Sequence, residues 1–288
     1  MPESIALAII GGSGLYNMPG LENSREHTPD TPFGQASAPI VIGTLENKRV
    51  AFLARHGIGH HISPSEVNYR ANIYALKSLG AERIVSISAC GSLREDYAPG
   101  HIIVPDQIFD NTKMRVRSFF GEGLVAHISV ADPFCRDLSD QLETSLRSAN
   151  AVVHRGGTFI TIEGPRFSTK AESNTFRAWG MDIIGMTASP EAFLAREAEM
   201  CYTVMAHVTD YDVWHVSAAP VNVDMIIETL HRNTHTAQEA VRLLAHNLRP
   251  TRECECGSAL ATALITDPAR VSQAAKQKLN LLINKYLK

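Results

Sequence analysis

The sequence predicts an α/β protein built on a central sheet, and three observations carry that prediction. Apolar runs of strand length alternate with amphipathic stretches of helix length along most of the chain, which is the order of a layered α/β unit. Several runs, Ile84-Val85-Ser86-Ile87 and Val204-Met205-Ala206 among them, are apolar on both faces, as strands covered by helices on each side must be. No segment repeats with a period of about 20–50 residues and none is low in complexity, so solenoids and propellers drop out.

Taken in order, Ile5–Ile10 is the first strand and runs straight into Gly11-Gly12-Ser13-Gly14, and Val50–Arg55 is the second. Ser63, Pro64 and Glu66 then supply a cap, a first-turn proline and a capping box, with Gly80 to end the helix. Arg83–Ala89, His101–Val104, Thr158–Ile162, Asp182–Met186 and Tyr202–Val208 are the remaining strands. Ser189-Pro190-Glu191 heads a helix ending near Met200, and Asp267-Pro268 heads one ending near Leu287. Val223–Asn247 is a long amphipathic stretch between them. No linker divides the chain, so residues 1–288 are expected to form a single domain with a helical C-terminal segment from about 222.

Composition removes several function classes. The chain is 44% apolar and 20% charged, with 27 basic against 30 acidic side chains and a formal charge of −3. A basic footprint for nucleic acid or anionic lipid is missing. No apolar run approaches the roughly 18 residues of a membrane span, and a soluble cytoplasmic protein is expected. The five cysteines, at 90, 135, 201, 254 and 256, do not resemble a secreted disulfide framework. No second Cys or His pair at ligand spacing lies near Cys254 and Cys256, so two free thiols and no metal are expected there.

The candidate chemistry sits at strand ends. Gly11-Gly12-Ser13-Gly14 can curl amides and a hydroxyl around an anion. It is not a dinucleotide fingerprint, because Asn17 stands where that motif needs glycine, and the chain has no Gly-Lys-Ser/Thr element. Arg55 leaves an apolar strand beside His56 and Gly57, where its planar fork could meet a phosphate or carboxylate or else form a buried ion pair. Ser86–Ser92 ends the third strand in small residues, where open α/β sheets bind ligands. Glu163-Gly164-Pro165-Arg166-Phe167-Ser168 places a ring, Phe167, after a strand-breaking turn, where it could stack on a planar base. In Thr209-Asp210-Tyr211-Asp212, carboxylates at i and i+2 of an extended segment point to one side, which raises one pKa into a range useful for acid work. Hydrolase and zinc-peptidase motifs (Gly-x-Ser-x-Gly, His-Glu-x-x-His) do not occur.

Together with Ser65-x-Val67-Asn68-Tyr69-x-Ala71-Asn72, Ala89-Cys90-Gly91-Ser92-Leu93-Arg94 and Gly185-Met186-Thr187, these segments run in order from about residue 8 to about 247. The chain thereby resembles the trimeric purine nucleoside phosphorylase family. The resemblance implies a mixed central sheet flanked by helices and a homotrimer or a dimer of trimers. It also implies reversible phosphorolysis of 5'-methylthioadenosine to adenine and 5-methylthioribose 1-phosphate, with inorganic phosphate as co-substrate and no metal or organic cofactor. Matched residue by residue, it implies a phosphate pocket of Ser13, Arg55, His56, Ser88, Ala89 and Thr187, with Ser13 replacing the commoner threonine. Met186 then meets the ribose, Phe167 and Ser168 the base, and Asp210 and Asp212 the purine edge as the catalytic acids. Val223 and Ile226, with His127 from a neighbouring subunit, would form the 5' pocket. Relatives acting on 6-oxopurines, inosine or 5'-methylthioinosine among them, have asparagine at the position of Asp210. Such a sibling is the nearest alternative, followed by a noncatalytic nucleoside binder and a hydrolase.

Overall fold

The computed structural model describes residues 4–11, 18–215 and 223–287, with residues 223, 225, 226, 228 and 230–232 described by their backbone alone. Their strands are β1 (Leu7–Gly11), β2 (Glu22–His27), β3 (Ile40–Leu45), β4 (Lys48–Ala54), β5 (Arg83–Ser92), β6 (Ile102–Val104), β7 (Gln107–Asn111), β8 (Val153–Arg155), β9 (Thr158–Ile162), β10 (Ile183–Gly185) and β11 (Cys201–Asp210). The helices are α1 (Tyr69–Ser78), α2 (Arg136–Ser148), α3 (Lys170–Ala178), α4 (Ala188–Glu197), α5 (Val223–Asn247) and α6 (Gln273–Ile283).

All the strands join one mixed sheet in the order β2-β3-β4-β1-β5-β10-β9-β7, and β11, β6 and β8 branch from β5. The branch arises because β5 is ten residues long and serves two neighbours in succession. Its first half pairs in parallel with β1, its last two residues pair antiparallel with β10, and β11 runs parallel along the other edge. The side chains of β1 alternate between faces with the period of two that strands impose. Ala8 and Ile10 join a core with Ile73, Leu76, Leu194 and Leu279 of α1, α4 and α6. Leu7 and Ile9 join a second core with Leu138, Leu142, Val241 and Leu244 of α2 and α5. The expected mixed sheet flanked by helices is therefore present, and no helix among the described residues is long and apolar enough to cross a membrane.

Two helix starts differ from the sequence reading and one agrees with it. Ser63 N–H and Oγ–H both donate to Glu66 at 3.0 and 2.5 Å, closing a separate turn. The helix then starts at Tyr69, where Asn68 accepts from Ala71 N–H at 3.2 Å. Ser189 heads the continuous part of α4 as expected: it is extended, it marks a kink after Ala188, and the helix runs on from Pro190. Asp267 caps only a short 3-10 turn, and α6 begins after Ser272, whose hydroxyl accepts from Ala275 N–H. Both displaced signals close a short turn of their own before the helix begins.

Candidate active site

Three strands bring their carboxyl ends to one edge of the sheet. β1 lies between β4 and β5, with Gly11 opposite Ala54 and Ile10 opposite Ser86, so Arg55 after β4 and the second half of β5 lie where α/β sheets hold ligands. Arg55 enters a buried polar knot there. Its Nε and Nη2 donate to the two Glu191 oxygens at 2.8 and 3.0 Å, Nη2 also donates to Ser86 Oγ, and Tyr202 donates to Glu191 at 2.8 Å. The two charged side chains are 2% and 0% exposed. Of the two partners the sequence left open for Arg55, the structure supplies the buried carboxylate, and Nη1 keeps a single long contact to Ile87 O at 3.4 Å.

His56 Nδ1 lies 2.9 Å from Ile62 O. A carbonyl only accepts, so the proton sits on Nδ1 and Nε2 carries a lone pair. Burial, followed by the nearby Arg55 charge, pushes His56 down to about 4, and the ring is neutral at pH 7. Gly57 makes this turn possible, since its φ is +73° and a Cβ would fall 2.3 Å from His61 Cε1. Because β10 runs antiparallel to the end of β5, the chain after it returns toward Ser88. Ser88 Oγ and Thr187 Oγ1 meet at 3.1 Å, both buried, and half-buried Ala89 follows Ser88.

The acid pair lies at the end of the neighbouring strand, β11. Asp210 is opposite Gly91, three residues beyond Ser88, or about 10 Å at the rise of a β-strand. The sequence expects both carboxylates on one side of an extended segment, but β11 bulges between Val208 and Asp210 and Asp212 has φ +49°. The acids are linked through the backbone instead. Asp212 N–H donates to Asp210 Oδ1 and Thr209 Oγ donates to Oδ2, each at 2.7 Å. Gly91 leaves room for this, because a Cβ there would stand 2.9 Å from Asp210 Oδ1 and 3.3 Å from Asp212 Cβ.

Burial raises the Asp210 carboxyl, against the two hydrogen bonds and with help from the charge of Asp212. Burial also raises Asp212, and the nearby hydroxyls of Ser173 and Ser168 oppose the rise without reversing it. Even so, Asp212 Oδ2, Ser168 Oγ and Ser173 Oγ are buried with no completed hydrogen bond among the described residues, the state of a polar surface that awaits a partner. Phe167, 37% exposed, precedes Ser168. Met186 packs against Gly164, where a Cβ would come within 2.6 Å of its sulfur.

Sequence reasoning missed the residue that ties these loops together. Arg115 is buried and donates to Met186 O at 2.6 Å, Ser189 O at 2.7 Å and Glu163 O at 2.8 Å. It thereby fixes the ends of β9 and β10 to one another. It belongs to no motif, and it stands between Lys113 and Arg117 in a stretch without strand or helix, where nothing in the sequence singles it out. Glu191 was legible only as a residue of a helix start.

Ser13 lies outside the described residues, as do the side chains of Val223 and Ile226 at the start of α5. His127 is exposed, and its N–H donates to Ala263 O at 2.8 Å. The reading of Cys254 and Cys256 as an isolated pair fails, because β11 and the start of α2 deliver Cys201 and Cys135 to them.

The model of the Phosphorylase superfamily matches residues 6–246. The chain is 51% identical over 280 residues to S-methyl-5'-thioadenosine phosphorylase of Koribacter versatilis, covering 97% of this chain and 96% of that one. A crystal structure of methylthioadenosine phosphorylase from an antarctic soil metagenomic library superposes with a TM-score of 0.92 at 45% identity, covering 97% of this chain and 99% of that one. Methylthioadenosine phosphorylase from Schistosoma mansoni in complex with adenine gives 0.84 at 36% identity, covering 88% and 96%.

Proposed function

The chain belongs to the Phosphorylase superfamily, and from that premise we propose that it catalyses the reversible phosphorolysis of 5'-methylthioadenosine to adenine and 5-methylthioribose 1-phosphate. The observation that carries the reading is the pair of buried acids with raised pKa values, one β-strand away from paired hydroxyls suited to an anion.

Breaking an N-ribosidic bond builds positive charge on the sugar and negative charge on the departing base, so an anion is needed on one side and a proton on the other. We assign the anion side to Ser88 and Thr187 hydroxyls, His56, Ala89, Ser13 and the Nη1 edge of Arg55. Because His56 Nε2 bears a lone pair, it suits the P–OH of a hydrogen phosphate. A phosphate oxygen bonds to C1', the C1'–N9 electron pair passes to adenine, and protonated Asp210 delivers its proton to N7. Asp210 is left ionised and regains a proton before the next turnover. Asp212 and Ser168 present their unfilled polar atoms to the base edge, Phe167 stacks on it, and Met186 faces the ribose. No metal or organic cofactor enters these steps.

The 5' pocket is assigned to Val223 and Ile226, with His127 contributed by the neighbour in a homotrimer; the exposure of His127 and its anchoring to Ala263 support this. Apolar walls favour a methylthio group over hydroxyl by about 1–3 kcal/mol, so adenosine should react roughly ten- to two-hundredfold less efficiently. The test is adenine release from methylthioadenosine, with methylthioinosine, adenosine and inosine compared, in the presence and absence of phosphate. Cleavage that proceeds equally without phosphate would make the protein a hydrolase, and preference for the 6-oxopurines would overturn the base assignment.

A further inference from the structure

Away from this site, four of the five cysteines converge from three chain segments. Cys135 stands at the start of α2 and makes no capping bond with its side chain, Cys201 opens β11, and Cys254 and Cys256 flank Glu255 in the segment after α5. Their four sulfurs all lie within 4.8 Å of one another, with Cys201 and Cys254 sulfurs 3.3 Å apart. Cys135, Cys201 and Cys256 are 5%, 1% and 5% exposed. Sulfurs on a tetrahedral zinc with bonds of about 2.3 Å stand about 3.8 Å from each other, which falls within the observed spread. A disulfide needs about 2.05 Å.

The surroundings are cationic. Arg196 points Nη1 at Cys256 Sγ from 3.5 Å, while its buried Nε has no partner. Arg252 donates to Glu199 O and lies along Gly257, the residue after Cys256, where a Cβ would fall 2.7 Å from its Nη2. A neutral thiol is a weak acceptor and does little for a guanidinium; thiolates held on a cation satisfy it.

We propose that Cys135, Cys201, Cys254 and Cys256 form a structural zinc site. Binding releases the four thiol protons and leaves a centre of net charge −2, which Arg196 offsets, with Arg252 beside it in an ion pair to Glu82 at 3.4 Å. All-sulfur tetrahedral coordination with no open position suits zinc in a structural role. The site fastens the C-terminal segment to the sheet and α2. That segment continues to Ala263 and Ile265, which hydrogen-bond His127 and Val125 at 2.8 and 3.1 Å, so the metal also steadies the stretch that carries His127.

The test is elemental analysis of the full chain purified under reducing conditions, without chelating resin or chelator, then given zinc chloride and dialysed. About one zinc per chain should remain, with four cysteines protected from alkylation until the protein is denatured. Cobalt in its place should give the thiolate charge-transfer bands of a tetrahedral all-sulfur site. Cys254→Ser and Cys256→Ser should each weaken zinc retention by about tenfold or more, whereas Cys90→Ser should leave it unchanged. Disulfides among the four, four reactive thiols with no zinc retained, or iron in place of zinc would overturn the proposal.

Discussion

The two ends of the candidate site treat buried charge in opposite ways. At the β4 end, Arg55 is held by both oxygens of Glu191, and Tyr202 and Ser86 complete the knot. At the β11 end, Asp210 accepts, among the described residues, from Thr209 and from the Asp212 backbone, and both acids are pushed upward by burial. A buried charge with an opposite partner is held in place by it, and removing one partner strands the other. A buried acid away from any cation takes up a proton more readily than a free one, which suits proton transfer.

The largest effect should follow from stripping the β4 end. Arg55→Ala leaves Glu191 buried and unpaired, and a loss of about 3–5 kcal/mol in unfolding free energy is expected in urea titration. Arg55→Met combined with Glu191→Met should recover most of that loss. A double variant as unstable as the single one would break the comparison, because the pair would then be more than mutual compensation.

A smaller loss is expected on the acid side from Gly91→Ala. The added methyl meets Asp210 Oδ1 at 2.9 Å and Ile184 at 3.0 Å, so overpacking of about 1–3 kcal/mol should appear in the melt, and turnover should fall with it. Unchanged turnover at lowered stability would mean that Asp210 does not need its observed position.

The smallest effect concerns a third buried acid away from both ends. Glu197 accepts from Ser118 Oγ and Phe119 N–H, each at 2.7 Å, yet burial outweighs these bonds and raises it to about 7. Its folded pKa lies above the ordinary value, so its contribution to stability is present at low pH and is lost as pH rises through about 7. Between about pH 5 and pH 8 a decline on the order of 1 kcal/mol is expected, and Glu197→Gln should flatten it. A slope unchanged in that variant would assign the pH dependence elsewhere.

How much of this was legible follows from where each signal resides. All seven expected strands form, because they are apolar on both faces and any fold must cover them. β2 was missed because Glu22-Asn23-Ser24-Arg25-Glu26-His27 lies on an edge with little buried and carries no hydrophobic alternation. α3 was missed although Thr169 and Glu172 form a complete capping box; its short polar sequence buries only Ser173 and Phe176. Within the site, Asp210 and Asp212 were visible as a local spacing, but the bulge that changes their geometry depends on Gly91 across the sheet. Glu191 as the partner of Arg55, Arg115 as the tie between loops and the gathering of Cys135, Cys201, Cys254 and Cys256 are all products of long-range packing. No spacing in the sequence records them.

The central claim is that Asp210 is a proton donor in the reaction and not part of the scaffold. Its most direct test is Asp210→Asn, which keeps the shape of the side chain but has no proton to give up, with phosphate-dependent adenine release and melting temperature measured on the same preparation at neutral pH. Turnover of methylthioadenosine should fall by about 10²-fold or more, while the melting temperature holds or rises because a neutral amide replaces a carboxyl whose ionised form burial disfavours. Undiminished turnover in this variant would contradict the account.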